Sequence, residues 1–211
     1  MDISSKRLIT RSVREAARAL LAGQLVAIPT ETVYGLAADA TNPKAVASVF
    51  VLKGRPADHP LIVHCSSAAQ AWQCVQGITP AARRLADAFW PGPLTLVLQR
   101  SAAISPAITG GQASVAIRVP DHPLTRQLLV AIERPLVAPS ANLFGRVSPT
   151  SAEHVRDEFP KTPLLILDGG PCDVGIESTI VDCRSDASVR ILRPGKITAQ
   201  HLVEELGDGC L

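Results

Sequence analysis

The chain has few aromatic residues and no strong excess of either charge. Phe, Trp and Tyr make up 3% of its 211 residues, and 21 Lys and Arg against 19 Asp and Glu give a formal net charge of +2. A dedicated nucleic-acid-binding domain shows a marked basic excess, so composition gives no support to that class, although a transient RNA contact stays open. Apolar residues make up 46% of the chain, which favours a globular domain with a sizeable core over disorder.

The cysteines form neither a disulfide pattern nor a zinc pattern. Their number is odd and no two are spaced as C-x-x-C, so free thiols in a reducing compartment are expected. No apolar run approaches the roughly 20 residues that cross a bilayer, and the first residues lack the apolar segment of a signal peptide. We therefore expect a cytoplasmic protein without a membrane partner. The cysteines are Cys65, Cys74, Cys172, Cys183 and Cys210.

Helical and strand-like segments alternate along the chain. Ser12 and Glu15 predict a capping box that opens a helix ending near Gly23, which favours a solvated helix face over an organellar transit peptide. Asn42 begins a second helix that stops at Gly54. Further helices are expected near residue 67, after 79–80, after 121, after Thr150 with Glu153 completing a second capping box, and near 198. Strands are expected at 25–28, 61–64, 94–98, 114–119, 136–138, 164–167, 178–181 and 189–192.

This alternation predicts an α/β sheet covered by helices. The last three strands follow one another with only turns between them, so part of the sheet is expected to be antiparallel. No internal repeat or long linker interrupts the chain. We predict one domain over residues 1–211, built on a twisted mixed sheet with helices on its faces and a C-terminal helix at about 198–206.

Polar segments follow several of the predicted strands. The Walker, G-x-G-x-x-G, H-E-x-x-H and G-x-S-x-G motifs are absent, which excludes the common ATPase, dinucleotide-binding, metalloprotease and esterase classes. The segments 29–32 and 139–142, together with His64 and Arg118, lie at the carboxyl ends of predicted strands. Ligands of open α/β sheets bind there, so we expect these groups to meet at one site.

Each of these residues also has a structural interpretation. Lys53 and Arg55 flank a glycine in a geometry suited to a polyphosphate, or they complement a helix dipole. A buried Arg118 needs an anionic partner, which is either a ligand or a structural ion pair. His64 alone is typical of a core histidine. Turn formation or helix capping explains Ser140, Ser148 and Thr150 equally well.

Taken together, nine sequence blocks resemble the YrdC/Sua5 family in family order. The match runs from about residue 25 to 195 and is similar to the short bacterial form, without the additional C-terminal domain of longer members. The blocks are PTETVYGL at 29–36, KGRP at 53–56, PLIVH at 60–64, WPGPLT at 90–95, SVAIRVP at 114–120, APSAN at 138–142, SPT at 148–150, GIESTI at 175–180 and LRPG at 192–195.

The resemblance implies a fold with a deep, positively lined cavity and a specific reaction. L-threonine, bicarbonate and ATP would give threonylcarbamoyl-AMP and pyrophosphate, with Mg²⁺ accompanying ATP and no dedicated protein ligand for the metal. The product would pass to the proteins that synthesise t6A in tRNA. Alternatives are a tRNA-binding, duplex-RNA-binding or ribosome-maturation factor without turnover, and a relative that adenylates another carbamate.

The same resemblance assigns site residues by position. Lys53 and Arg55 would be catalytic. At position 59 the family often has Asn, so His59 leaves that assignment open and would add pH dependence. Threonine-binding positions would be Thr30, His64, Arg118, Ala138 and Ser178. ATP-binding positions would be Arg55, His59, Ser114, Ser140, Ser148 and Arg193.

Overall fold

A computed structural model describes residues 8–185 and 188–207, so Cys210 lies outside the described residues. Within them the backbone forms seven helices and eleven strands. The helices are α1 (Val13–Leu21), α2 (Pro43–Lys53), α3 (Ala68–Gln73), α4 (Pro80–Phe89), α5 (Pro123–Ile132), α6 (Ala152–Glu158) and α7 (Ala199–Leu206). The strands are β1 (Ile9–Thr10), β2 (Val26–Ile28), β3 (Gly35–Asp39), β4 (Ile62–His64), β5 (Val75–Gln76), β6 (Leu94–Arg100), β7 (Ser114–Arg118), β8 (Leu136–Val137), β9 (Leu165–Leu167), β10 (Thr179–Asp182) and β11 (Arg190–Arg193).

All eleven strands belong to one mixed sheet. Its order is β1-β9-β2-β3-β8-β4-β7-β6-β10-β11, and β5 pairs with β6 beside this path. Strands β4 and β7 are parallel, as are β6 and β10, whereas β10 and β11 form the antiparallel pair expected near the end of the chain. The predicted mixed sheet is confirmed.

The observed helix caps lie close to the helix ends predicted from the sequence. The Ser12 hydroxyl accepts from the Glu15 amide, and α2 ends at Gly54 with a positive φ of 60°. The capping box expected at Thr150 is wrong by one residue, because the hydroxyl of Ser151 accepts from the His154 amide and caps α6. Glu153 therefore lies in the first turn without closing a box.

Side chains alternate along the central strands between a core face and a polar face. On β7, Val115 and Ile117 pack into the main hydrophobic cluster, which also contains Val63 of β4 and the helix residue Leu85. Helices α1 and α5 pack together in a second cluster with β2 and β8. The opposite face of the central strands is left for the candidate site.

Candidate functional site

A cavity of about 370 Å³ lies over the polar face of the central strands. Residues at alternate positions line it, as expected for one face of a sheet: Ile62 and His64 of β4, Ser114, Ala116 and Arg118 of β7, and Ile180 and Asp182 of β10. Its walls carry more positive than negative charge. The arginines are Arg55, Arg118, Arg184, Arg190 and Arg193, and the carboxylates are Glu177 and Asp182.

The four polar segments meet, but not at one edge of the sheet. Strand β8 runs antiparallel to β4, so the carboxyl ends of these two strands point in opposite directions. The expectation of a crevice beyond aligned carboxyl ends is therefore wrong. Thr30 and Ser140 reach the cavity from loops that close over the face carrying His64 and Arg118.

Arg118 forms a buried ion pair in the wall of the cavity. Its Nη2 donates to Oε1 of Glu31 at 2.6 Å, and the two side chains are 4% and 9% exposed. Its Nη1 donates to the Thr32 hydroxyl at 3.0 Å and its Nε to the Gly92 carbonyl at 3.2 Å. The structural ion pair left open by the sequence is present, and Arg118 also lines the cavity.

His64 stands beside Arg118 as a neutral ring. Burial lowers the pKa of His64 to about 3, and the nearby Arg118 charge acts in the same direction. Nδ1 lies 3.3 Å from the Ile62 carbonyl, an arrangement that requires the proton on Nδ1 and leaves Nε2 as an acceptor. The ring therefore offers a hydrogen-bond acceptor in a positively charged wall.

Arg193 and Glu177 form an ion pair in the same cavity wall. Burial lowers the pKa of Arg193, and Arg118 is near enough for its charge to act in the same direction. Arg193 pairs with the Glu177 carboxylate and donates from Nη2 to the Ser178 hydroxyl at 3.0 Å. The second Glu177 oxygen accepts from the Ser148 hydroxyl at 2.8 Å. Ser148 is thus tied to the cavity through Glu177, although it does not line it.

Arg55 reaches the cavity near Glu177 and Arg193 from the segment after α2. Its Nη2 donates to the Pro60 carbonyl at 3.0 Å, and its guanidinium carbon lies 5.6 Å from the centre of the Phe144 ring. Phe144 also makes an edge contact with His59, with ring centres 5.1 Å apart. His59 itself is exposed and lies outside the cavity lining.

Lys53 lies behind the cavity wall. Its ammonium donates to the carbonyls of Ser140 and Asn142 at 2.5 Å each, and to the Asn142 side chain at 3.3 Å. These three acceptors match its three donors. Burial lowers the pKa of Lys53 to about 8, and Arg55 adds to the shift. The structure therefore does not place Lys53 beside Arg55 as a second cation facing the cavity.

Most of the residues assigned by sequence come together in this cavity. The exceptions are Lys53, His59 and Ser148. Sequence reasoning gave no role to Glu31 or Glu177, although both belong to the quoted blocks, and it missed Arg184 and Arg190, which carry no motif. The assigned residues that line the cavity are Thr30, Arg55, His64, Ser114, Arg118, Ala138, Ser140, Ser178 and Arg193.

No helix within residues 8–185 and 188–207 is long and apolar enough to cross a membrane. In the same part of the chain no group of three or more His, Cys, Asp or Glu side chains is placed to hold a metal ion. The four cysteines described there, Cys65, Cys74, Cys172 and Cys183, are free thiols.

Fold and site together define an α/β domain with an arginine-lined cavity. A family model for Sua5, YciO and YrdC proteins, described as "Telomere recombination", matches residues 18–195. The chain belongs to this family.

Several relatives carry the name threonylcarbamoyl-AMP synthase. The protein of Pyrococcus abyssi is 44% identical over 203 residues, which cover 96% of this chain and 59% of that protein. That of Bacillus subtilis is 45% identical, with 92% and 56% covered. A Mycobacterium tuberculosis protein named putative threonylcarbamoyl-AMP synthase is 37% identical, with 98% and 94% covered. The chain thus spans little more than half the length of the first two relatives.

Solved structures confirm the fold. Pyrococcus abyssi Sua5 complexed with L-threonine superposes with a TM-score of 0.90 at 44% identity, covering 95% of this chain and 60% of that one. Escherichia coli YciO superposes with a TM-score of 0.77 at 21% identity, covering 87% and 89%. At that identity the second comparison supports the architecture alone.

Proposed function

We propose that this chain synthesises threonylcarbamoyl-AMP from L-threonine, bicarbonate and ATP. The observation that carries the proposal is a single cavity lined by a buried arginine, Arg118, and by the more accessible Arg55 and Arg193. The first suits a small carboxylate and the other two suit a polyphosphate. The names of the relatives and the L-threonine complex of the Pyrococcus abyssi protein support the same activity.

Arg118 would hold the threonine carboxylate. A guanidinium has five N–H groups, and the contacts with Glu31, Thr32 and Gly92 use three of them. Each terminal nitrogen has one further N–H, and Arg118 lines the cavity, so these donors would pair with the threonine carboxylate. Thr30, Ala138 and Ser178 would complete this subsite, and the neutral His64 would accept from the amino acid.

Arg55 and Arg193 would hold the triphosphate. Both line the cavity, and planar guanidinium groups pair with phosphate oxygens more specifically than ammonium groups do. Ser114 and Ser140 also line the cavity. Ser148 and His59 would act from the rim.

The chemistry needs positioning more than a protein nucleophile. The threonine amine would attack the carbon of bicarbonate and form a carbamate with loss of one water molecule, and a carbamate oxygen would then attack the α-phosphorus as pyrophosphate leaves. This adenylyl transfer makes the chain a nucleotidyltransferase. Fixed cations that stabilise charge on the phosphate oxygens are the main source of rate enhancement in such reactions. Arg55 is the proposed catalytic cation, because it faces the cavity.

Mg²⁺ would enter with ATP as part of the substrate. An ion bound chiefly by phosphates and water needs few protein ligands, which fits the two carboxylates of the cavity wall, Glu177 and Asp182. When bound, it neutralises phosphate charge. We assign it no dedicated site among the described residues.

Lys53 would support the reaction from behind the wall. Its three hydrogen bonds fix the segment 140–142, whose Ser140 lines the cavity. We therefore propose that Lys53 positions this segment and that Arg55 alone of the pair contacts phosphate.

The proposed activity has a direct test. The purified chain is incubated with ATP, Mg²⁺, bicarbonate and labelled threonine, and pyrophosphate and a threonine-containing adenylate are measured while each substrate is omitted in turn. We expect both products only in the complete mixture, and we expect an Arg55→Ala variant to release far less pyrophosphate. Pyrophosphate release that does not depend on threonine and bicarbonate would contradict the proposal.

The partners follow from the product. A labile mixed anhydride needs nearby consumers, so we propose transfer to the proteins of tRNA t6A synthesis and a cytoplasmic location, where ATP and tRNA are both present. Direct contact with tRNA or duplex RNA stays a prediction. Salt-sensitive RNA binding without turnover in the assay above would favour the RNA-binding alternative.

A further inference from the structure

Glu177 is a carboxylate placed among the cations proposed to bind phosphate. One oxygen pairs with Arg193 and the other accepts from Ser148 at 2.8 Å. Burial lowers the pKa of Arg55 and of Arg193, and the negative charge of Glu177 acts in the opposite direction on both. The same charge acts on Lys53. Glu177 therefore faces the whole cation cluster.

A phosphate group and this carboxylate need the same donors. Arg193 uses Nη1 for Glu177, while its Nε and Nη2 donate to the carbonyl and hydroxyl of Ser178. The Ser148 hydroxyl has one proton, which it gives to Glu177. Nη1 and Nη2 of Arg193 each have a second N–H, but an anion that takes the Ser148 proton and the Nη1 proton now given to Glu177 must replace the carboxylate.

The surroundings of Glu177 permit this replacement. Its side chain is 35% exposed, whereas that of Glu31 in the pair with Arg118 is 9% exposed. Ile176 beside it is 54% exposed, and Gly175 has a φ of +72° with no atom within 4 Å of a Cβ position. The Glu177 side chain can therefore rotate toward solvent, where its carboxylate is hydrated, with little loss of packing.

We propose that Glu177 sets an affinity threshold for anions by competing with phosphate for Arg193 and Ser148, so that only a ligand with several phosphate contacts displaces it. This inference rests on the proposed function, because the proposed function places the ATP phosphates beside Arg55 and Arg193. A ligand that binds only the displaced form has its affinity reduced by the fraction of that form. The affinity falls by the same factor for every anion. Phosphate and bicarbonate make few contacts and are then held weakly, whereas a triphosphate makes enough contacts to bind despite the reduction.

The test compares the wild-type chain with Glu177→Gln by calorimetric titration. Pyrophosphate, inorganic phosphate and ATP are titrated in buffer containing EDTA. Gln keeps the size and a weak acceptor but removes the competing charge. We expect pyrophosphate and ATP to bind about tenfold tighter to the variant, the effect of losing one charge-assisted contact at a partly exposed site. Circular dichroism and thermal unfolding establish that both proteins are folded.

A matched variant controls for net charge. Glu204→Gln removes one negative charge from an exposed position on α7, and we expect its affinities to stay within about twofold of the wild type. Unchanged or weaker pyrophosphate binding to Glu177→Gln would overturn the inference. The titrations are repeated with Mg²⁺ in place of EDTA, and a loss of affinity in Glu177→Gln confined to that series would also overturn the inference, because it would make Glu177 a metal-side residue.

The two proposals fail in different ways. A wild-type chain that binds pyrophosphate but not ATP contradicts the proposed synthase, and the pyrophosphate affinities still decide the role of Glu177. A wild-type chain that binds ATP with an affinity equal to that of Glu177→Gln contradicts the competition alone.

Discussion

Removing Arg118 should weaken the fold and threonine binding by separate and measurable amounts. In Arg118→Ala the Glu31 carboxylate loses its partner at 2.6 Å in a site where both side chains are less than one-tenth exposed. It keeps one hydrogen bond, from the Asp121 amide to Oε2 at 3.1 Å. A buried charge is thus left only partly compensated.

The expected loss of stability follows from this geometry. Breaking a buried ion pair by removing one partner costs about 3–5 kcal/mol, and the retained Asp121 contact favours the lower end. A domain stable by about 5–15 kcal/mol survives such a loss. We therefore expect a folded variant with a free energy of unfolding lower by about 3 kcal/mol.

The effect on threonine should be independent of that loss. Hydrogen bonds to charged groups contribute about 1.5–3 kcal/mol, so the KM for threonine should rise more than tenfold. Because Arg55 and Arg193 remain, the KM for ATP should change little. Urea denaturation followed by circular dichroism gives the stability, and pyrophosphate release at saturating ATP gives the two KM values.

Arg156→Ala is the matched control, since Arg156 pairs with Asp157 at an exposed site where both side chains are more than half exposed. We expect it to lose less than about 1 kcal/mol of stability and to keep the wild-type KM for threonine. An unchanged KM for threonine in Arg118→Ala would remove Arg118 from the threonine site. An unchanged stability would contradict the importance of the buried pair.

Three other predictions follow. Lys53→Met should free the segment 140–142 from its hydrogen bonds to Lys53. Amide hydrogen exchange in this segment should become at least about tenfold faster, while exchange in α7, the internal control, stays as in the wild type. Phe144→Leu should raise the KM for ATP about two- to fivefold by removing the ring next to Arg55, and Phe144→Tyr should restore it; equal values for both variants would contradict this contact. His64 stays neutral in the fold with a pKa of about 3, so unfolding takes up a proton below pH ~6.5. Its stabilisation is complete above that pH and is lost as the pH falls toward 3. Relative to His64→Gln, the wild type should lose about 2 kcal/mol between pH 7 and pH 5 in urea denaturation.

Apolar runs and caps predicted most elements, and local composition explains the strands that were missed. The eight expected strands are present with ends within two residues of the predicted positions. Strand β3 was missed because its sequence, GLAAD, has low strand propensity, although all five residues are buried between β2 and β8. Strands β1 and β5 have two residues each, which is too short for a periodic signal.

The site was predicted less evenly, because its contacts join distant parts of the chain. Nine of the residues assigned by family position line one cavity, but family position could not show that Lys53 donates to carbonyls 87 and 89 residues away. A lysine after a helix gives the same local pattern whether it points to solvent or to a buried loop. The partnership of Glu177 with Arg193 likewise depends on the pairing of β10 with β11, which a turn-rich sequence does not specify.

The two proposed subsites of the cavity differ in the exposure of their ion pairs, and this difference suits two substrates of unequal charge. Arg118 is paired with Glu31 where both side chains are less than one-tenth exposed, so the threonine carboxylate would bind beside a pair that stays intact. Arg193 is paired with Glu177, which is one-third exposed, and displacement of Glu177 would uncover positive charge next to Arg55. A lone carboxylate at Arg193 would gain few contacts from that displacement, whereas a triphosphate would gain several. The exposure of the two ion pairs thus favours a single orientation of the two substrates, with the amino acid at Arg118 and the phosphates at Arg193 and Arg55.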